Sequence, residues 1–430
     1  MTDDDRPIAA CSHLATSPDE YHVWFTGHGM ERHWVCPACA ARFPEPPAEL
    51  IDVTGELVES CLTGATWSGI CGTPEIKSRP TSLRFNHAEC SLRFPSGDRM
   101  IDIQPNLKSD GQWLIFLATG DLAVTNPRRG EFDVIHHVSD LGFEIDDETA
   151  LCVSRNFDYC AIFGVSKRYA CVIDLRTGAI TARIDRLEYR PENSHFPLAF
   201  FQSEGGTLLV AATDWNRLDV MDPATGARLT DRGPTSYQRG EQRPEHYLDY
   251  FHAQISVSPG GNWIVDNGWF WAPWGSIRSW SMNDWIKENA WESEDGSSLK
   301  TLVGRAYYWD GPVCWIDDAM IAIWGWGEDD EWLIPAVRLF DVRTGREVSW
   351  FPGPETRPPR AWPPKKLPPS LFFDTYLFSV HDERGVAVWD VSSGERLLQD
   401  PSFAPVHYHP CSKEFLARTP DGIQLSRLTG

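Results

Sequence analysis

An all-β fold, a β-propeller of seven blades preceded by a small Cys/His module, is what three features of this 430-residue chain predict. A turn pattern recurs at a near-constant interval. Seven β-rich runs each follow a polar turn. Aromatic residues are abundant, with 20 Trp and 21 Phe, and aromatic side chains favour strands.

The recurring turn reads as an apolar strand, Asp, two residues, Thr or Ser, Gly, and a second strand. It occurs at Asp174-Leu-Arg-Thr177-Gly178, Asp222-Pro-Ala-Thr225-Gly226, Asp341-Val-Arg-Thr344-Gly345 and Asp390-Val-Ser-Ser393-Gly394. Asn126-Pro-Arg-Arg-Gly130 is a degenerate copy. An Asp side chain accepts hydrogen bonds within such a turn, and Gly supplies the positive φ that closes a bulged hairpin. Each copy therefore joins two neighbouring antiparallel strands. Asp174 and Asp222 are about 48 residues apart and Asp341 and Asp390 about 49, a period suited to four strands per unit.

A second signal precedes each unit's β-rich run. It is Ser109-Asp110-Gly111 before Trp113, Asn156-Phe-Asp158 before Cys160, and Gly205-Gly206 before Leu208. It continues as Pro259-Gly260-Gly261 before Trp263, Asp317-Asp318 before Met320, Phe373-Asp374 before Tyr376, and Ser412-Lys413 before Phe415. Seven units result, with a stretched spacing around the fourth. Ser258-Pro-Gly-Gly261 resembles the S-P-D-G turn of the WD40/YVTN-like propeller superfamily, and Val388-Trp389-Asp390 resembles its terminal W-D strand. The resemblance covers residues 83–430 and speaks to fold, hardly to function. It implies that an N-terminal strand completes the last unit, which has room for only three. Thr81–Phe85 or Ser91–Phe94 is the candidate, so the propeller spans 81–430 after a linker at 46–80.

Residues 1–45 form the module. Cys36-Pro-Ala-Cys39 has the C-x2-C spacing that sets two thiolates at tetrahedral separation. Cys11 and His13 are the nearest second pair. The site is read as Cys11, His13, Cys36 and Cys39 around one structural Zn2+, with His28 or His33 able to replace His13. So short a segment rarely folds alone, and a metal supplies what its core does not. The module resembles a minimal zinc ribbon lacking its second C-x2-C knuckle. A four-ligand site is closed, which makes the zinc architectural.

The net charge is −22, from 39 basic and 61 acidic residues. That field repels phosphate backbones and anionic lipid, so neither nucleic acid nor membrane is an expected partner. No apolar stretch approaches the ~18 residues that span a bilayer. The acidic start Met1-Thr2-Asp3-Asp4-Asp5 argues against a secretory signal. Most of the 11 cysteines stand singly in apolar runs, as reduced core thiols do. A cytoplasmic protein is expected.

By resemblance, the B–C and D–A connections share the partner-binding face. Unit four offers Gly268-Trp269-Phe270-Trp271-Ala-Pro-Trp274-Gly275 there. Unit five offers Trp324-Gly-Trp326-Gly-Glu328-Asp329-Asp330-Glu331-Trp332. Aromatic rings beside carboxylates suit a basic protein or peptide, and Trp269, Trp271, Trp274, Trp326, Asp329, Asp330, Glu331 and Trp332 are the candidate contacts. The same rings suit a small ligand or a glycan. They also suit mutual packing, to which Trp280, Trp285 and Trp291 could contribute. Residues 352–369 read as a polyproline stretch with a small basic cluster, either an inter-blade spacer or a groove ligand.

Catalytic motifs are missing from the sequence: there is no G-x-S-x-G elbow, P-loop or H-E-x-x-H. The quinoprotein docking pattern is approached only at Asp341, Thr344, Gly345 and Trp350, with Leu339 and a late Trp as departures. His407 and His409 share one face of a strand, whereas His136 and His137 oppose each other. The expected function is a non-enzymatic interaction scaffold. Small-ligand or glycan sensing is the alternative, and hydrolase or lyase chemistry in a central channel a lesser one.

Overall fold

The computed structural model describes residues 76–90, 92, 94, 98–327, 333–354, 370–381, 383–419 and 422–430, and the backbone of 22–26 and 31–35. His22–Thr26 and Glu31–Val35 pair as an antiparallel hairpin, with Trp24 opposite His33. Cys11, His13, His28, Cys36 and Cys39 lie outside the described residues.

Seven antiparallel sheets follow one another around a ring. Blade one is Met100–Pro105, Trp113–Leu117, Asp121–Asn126 and Glu131–His137. Blade two is Thr149–Val153, Tyr159–Gly164, Tyr169–Asp174 and Ile180–Asp185. Blade three has three strands, Leu198–Ser203, Gly206–Asp214 and Arg217–Met221, and blade four is Tyr250–Val257, Trp263–Phe270, Trp274–Ser281 and Lys300–Ala306. Blade five is Val313–Trp315, Met320–Trp326, Ile334–Asp341 and Arg346–Pro352. Blade six is Leu371–Phe373, Leu377–His381, Gly385–Asp390 and Glu395–Asp400. Blade seven takes His407–His409, Glu414–Thr419 and Gly422–Thr429 from the C-terminus and Arg84–Cys90 from the N-terminal side. That last pairing, from Thr429 opposite Arg84 to Ile423 opposite Cys90, gives blade seven its outer strand and joins the two ends of the ring. Residues 77–79 also bridge in parallel to Arg396 on the outer edge of blade six.

Strands are lettered A to D across each blade. The A strands of neighbouring blades lie against one another and so surround the axis. An apolar cluster fills each blade interface, including the one between blades seven and one. These side chains alternate along the strands, as a sheet packed on both faces requires.

Each Asp-x-x-Thr/Ser-Gly copy ends a C strand, and in blades two, five and six it leads into the D strand. Asp174 Oδ1 accepts from the N–H groups of Arg176 and Thr177, and Asp390 Oδ1 accepts from Ser392 N–H at 2.9 Å. The Gly N–H returns to the Asp carbonyl at 2.8 Å in all four copies. Those glycines hold φ between 68° and 75°. Their outer sides face the D strand of the preceding blade: Gly178 meets His136, Gly226 meets Ala182, Gly345 meets Lys300, and Gly394 meets Phe351. The motif therefore recurs because one turn both reverses the chain and docks the blade.

The stretched spacing has two sources. In blade three, residues 226–249 stand in for a D strand, meeting the sheet through the Met221–Arg228 bridge, the Leu229 N–H to Val220 O bond and side-chain bonds from Thr230 and Arg232. Arg232 is buried there between Asp219, at 3.7 Å, and Glu294. In blade four, the C–D connection carries helices α1, Met282–Lys287, and α2, Glu292–Asp295. Trp280 and Trp285 belong to the core between blades three and four, and Trp291 stacks on His246 at 4.3 Å. None of the three supports the Trp-rich hairpin of blade four.

Candidate functional site

Because strands alternate in direction, the B–C and D–A connections emerge together on one face. Two of the D–A connections are shaped by buried arginines. Arg186 donates to the carbonyls of Lys167, Ser194 and His195 at 2.9–3.1 Å and to the Ser194 hydroxyl. Arg305 donates to the carbonyls of Trp324 and Gly325. Burial pulls each guanidinium pKa down to about 9, so both remain charged at neutral pH. The connections that follow these arginines contain left-handed non-glycine residues, Leu187 and Arg190 in one, Tyr307 and Asp310 in the other. Such backbone persists only where surrounding contacts determine it.

These connections and the blade-four hairpin assemble an aromatic array. Phe251 stacks on Trp269 at 4.6 Å and 9°, and Trp269 stacks on Trp309 at 4.9 Å and 14°. Trp271 lies over both Phe251 and Trp269 at 5.5 and 5.6 Å. Tyr189 and Trp215 extend the array, each contacting Phe251 and each other. Trp215 in turn meets Tyr247, which meets Tyr237. The centre is buried, with Phe251 at 1%, Trp269 at 4% and Trp309 at 8% exposure. The rim is open: Tyr189 is 50% and Trp271 45% exposed, and beside them Tyr307, 60% exposed, is tied to the blade-four hairpin by its N–H to the Pro273 carbonyl.

The segment Gly268–Gly275 is not a long loop. Its ends are paired strand, through Gly268–Ser276, Trp269–Gly275 and Phe270–Trp274, leaving only residues 271–273 as the turn. Gly275 is required by close approach, since a Cβ there would sit 1.9 Å from the Tyr308 carbonyl. Of the residues singled out by sequence, Trp271 is exposed, Trp274 half-buried, and Trp269 and Trp326 are internal. Trp326 stacks on Trp350 at 6.2 Å within blade five. Asp329, Asp330, Glu331 and Trp332 lie outside the described residues. Tyr189 and Trp215 went unnoticed in the sequence because each stands alone in its own connection, and the run Tyr307-Tyr308-Trp309 because it lies outside the B–C connections that the repeat pointed to.

On the same face the A strands surround a cavity of ≈ 560 Å³. Its wall includes Arg99, Asp102, Asp147, His195, His407 and Arg418. Asp102 is buried and accepts from the N–H groups of Ile103 and Leu151, both at 2.9 Å, which ties blade one to blade two. His407 lies 3.8 Å from Asp102 and Arg418 lies 3.5 Å from it. His195 Nδ1 meets Asp310 at 3.2 Å, linking the cavity wall to the connection that carries Trp309. Among the described residues the wall offers guanidinium, imidazole, carboxylate and amide groups and no hydroxyl, thiol or amine.

His407 and His409 do share a face, directed at blade one. His409 is fully buried, bonds the Gln112 carbonyl at 3.0 Å and meets the Trp113 ring edge-on at 5.1 Å. Among the described residues no three His, Cys, Asp or Glu side chains converge as a metal site. No described helix is long and apolar enough to cross a membrane. Compared with protein-family models and with curated proteins, the chain matches none.

Proposed function

We propose that this chain is a non-enzymatic interaction scaffold of the cytoplasm whose aromatic array docks a basic segment of a partner protein. The observation that carries this reading is the exposure of Tyr189, Trp271 and Tyr307 around a rigid, stacked centre. Exposed rings held by buried neighbours are typical of interaction hot spots, where little freedom is lost on binding. The rings attract cations over their faces, and the charge of −22 favours a cationic approach. Arg243 already sits 4.5 Å over the Tyr247 ring at the edge of the array.

An arginine-rich peptide titrated against intrinsic Trp fluorescence tests this, with a glutamate-substituted peptide as control. W271A and Y189A should each weaken binding about tenfold or more, a loss of about 1.4 kcal/mol. Unchanged affinity in both, at native melting temperature, would sink the proposal. A glycan on the same rings would bind independently of salt, whereas the peptide weakens as salt rises.

We also propose that Cys11, His13, Cys36 and Cys39 hold one structural zinc. Metal analysis of protein purified without chelator should return about one zinc per chain, and C36S/C39S should lose it. A value well below one in the wild type refutes that ligand set.

A further inference from the structure

We propose that the channel mouth binds a small organic acid with an apolar body, at a site separate from the aromatic array. The cavity, ≈ 560 Å³, falls within the range of small-molecule sites. Phe163, Phe196, Leu198 and Ile255 give it an apolar wall. Arg99 and Arg418 line the same cavity from blades one and seven.

Among the charged groups of the wall, the guanidinium donors have hydrogen-bonding capacity to spare. Asp102 has its two oxygens engaged by backbone N–H groups, so its charge is settled within the fold. Arg418 reaches it only through Nη2, at 3.5 Å, and reaches the Ile101 carbonyl from the same nitrogen at 3.4 Å. Its Nε and Nη1 make no hydrogen bond among the described residues. Arg99 pairs with Asp147 at 2.5 Å, but the Asp147 side chain is 87% exposed. Solvent-exposed pairs of this kind hold weakly, and a ligand carboxylate can replace Asp147. A guanidinium takes a carboxylate by two parallel hydrogen bonds, and the apolar wall takes the rest of the molecule.

The test titrates the full chain with 3-phenylpropionate, indole-3-acetate and octanoate by calorimetry, each beside its neutral amide. At least one acid should bind with Kd below about 1 mM and its amide should bind at least tenfold more weakly. R418Q and R99Q should each weaken the acid about tenfold while W271A leaves it unchanged. Arg99 is exposed, so R99Q keeps the test readable if R418Q does not fold. The proposal is overturned if no acid binds at about 10 mM, if the amide binds as well as the acid, or if R99Q binds like wild type. Loss of acid binding in W271A would place the ligand on the aromatic array and overturn it too. Loss of peptide binding alone in W271A leaves this site standing.

Discussion

Gly394→Ala tests whether the recurring turn is also the joint between blades. Two effects act on the substituted residue. Gly394 holds φ +68°, and a side chain in that left-handed region costs about 1 kcal/mol or somewhat more. A Cβ at Gly394 would also lie 2.5 Å from Cβ of Phe351 and 3.1 Å from its Cγ. Phe351 is buried on the D strand of blade five, so it has little room to retreat. Overpacking of that kind adds about 1–3 kcal/mol. Gly130 provides the control. It has φ +67° in the degenerate copy, and nothing lies within 4 Å of the Cβ it would gain. G130A should therefore show the backbone strain alone, and G394A about 2–4 kcal/mol. Urea unfolding followed by Trp fluorescence and by far-UV circular dichroism measures both. Truncation of Phe351 to Ala should not rescue G394A, because the closest contact is to a Cβ that Ala keeps. Equal losses in G130A and G394A would refute the docking role and leave the turn as local chain reversal only.

Two other predictions concern buried polar groups. R232M should destabilise by about 3–5 kcal/mol in the same assay, since it strands the Glu294 carboxylate at 2% side-chain exposure, whereas Asp219 keeps Arg217; R232M/E294M should recover part of that loss, and no recovery would count against the pairing. His409 controls a pH response. Burial holds its pKa below the ordinary histidine range, and its ring bonds the Gln112 carbonyl through Nε2 and the Ser412 N–H through Nδ1, which needs the neutral form. A depressed folded pKa means this stability is present above the unfolded value of about 6.5 and is lost as pH falls through the folded value. Between pH 7.5 and 5 the urea midpoint should fall more steeply in wild type than in H409Q, and parallel slopes would refute this assignment.

Much of the architecture was legible because its signals are local. An Asp, a Thr or Ser and a Gly within five residues make a complete hairpin turn, so Asp174–Gly178 and Asp390–Gly394 could be read without their neighbours. The A–B turns were legible for the same reason: the Ser258 hydroxyl accepts from Asn262 and Trp263 N–H, just as Ser154 accepts from Asp158 and Tyr159. Where a blade departs from the repeat, sequence spacing showed the stretch but not its cause. Arg232 gave no hint that it replaces a strand's hydrogen bonds with a buried ion network.

The binding face was legible only in part. A dense run such as Trp269-Phe-Trp271 announces itself, yet period-two alternation sends Trp269 into the stack and leaves Trp271 at the rim. Its partners Tyr189, Trp215, Phe251 and Trp309 come from four other places in the chain. Arg99, Asp102 and Arg418 likewise meet across a ring closed by residues some three hundred apart. Turn chemistry and strand alternation operate over a few residues, and they determined an all-β propeller of seven blades from the sequence itself. Which rings are exposed, and which charges share a cavity, depends on contacts between blades. Those exist only after the ring has closed, so the tertiary structure alone decided them.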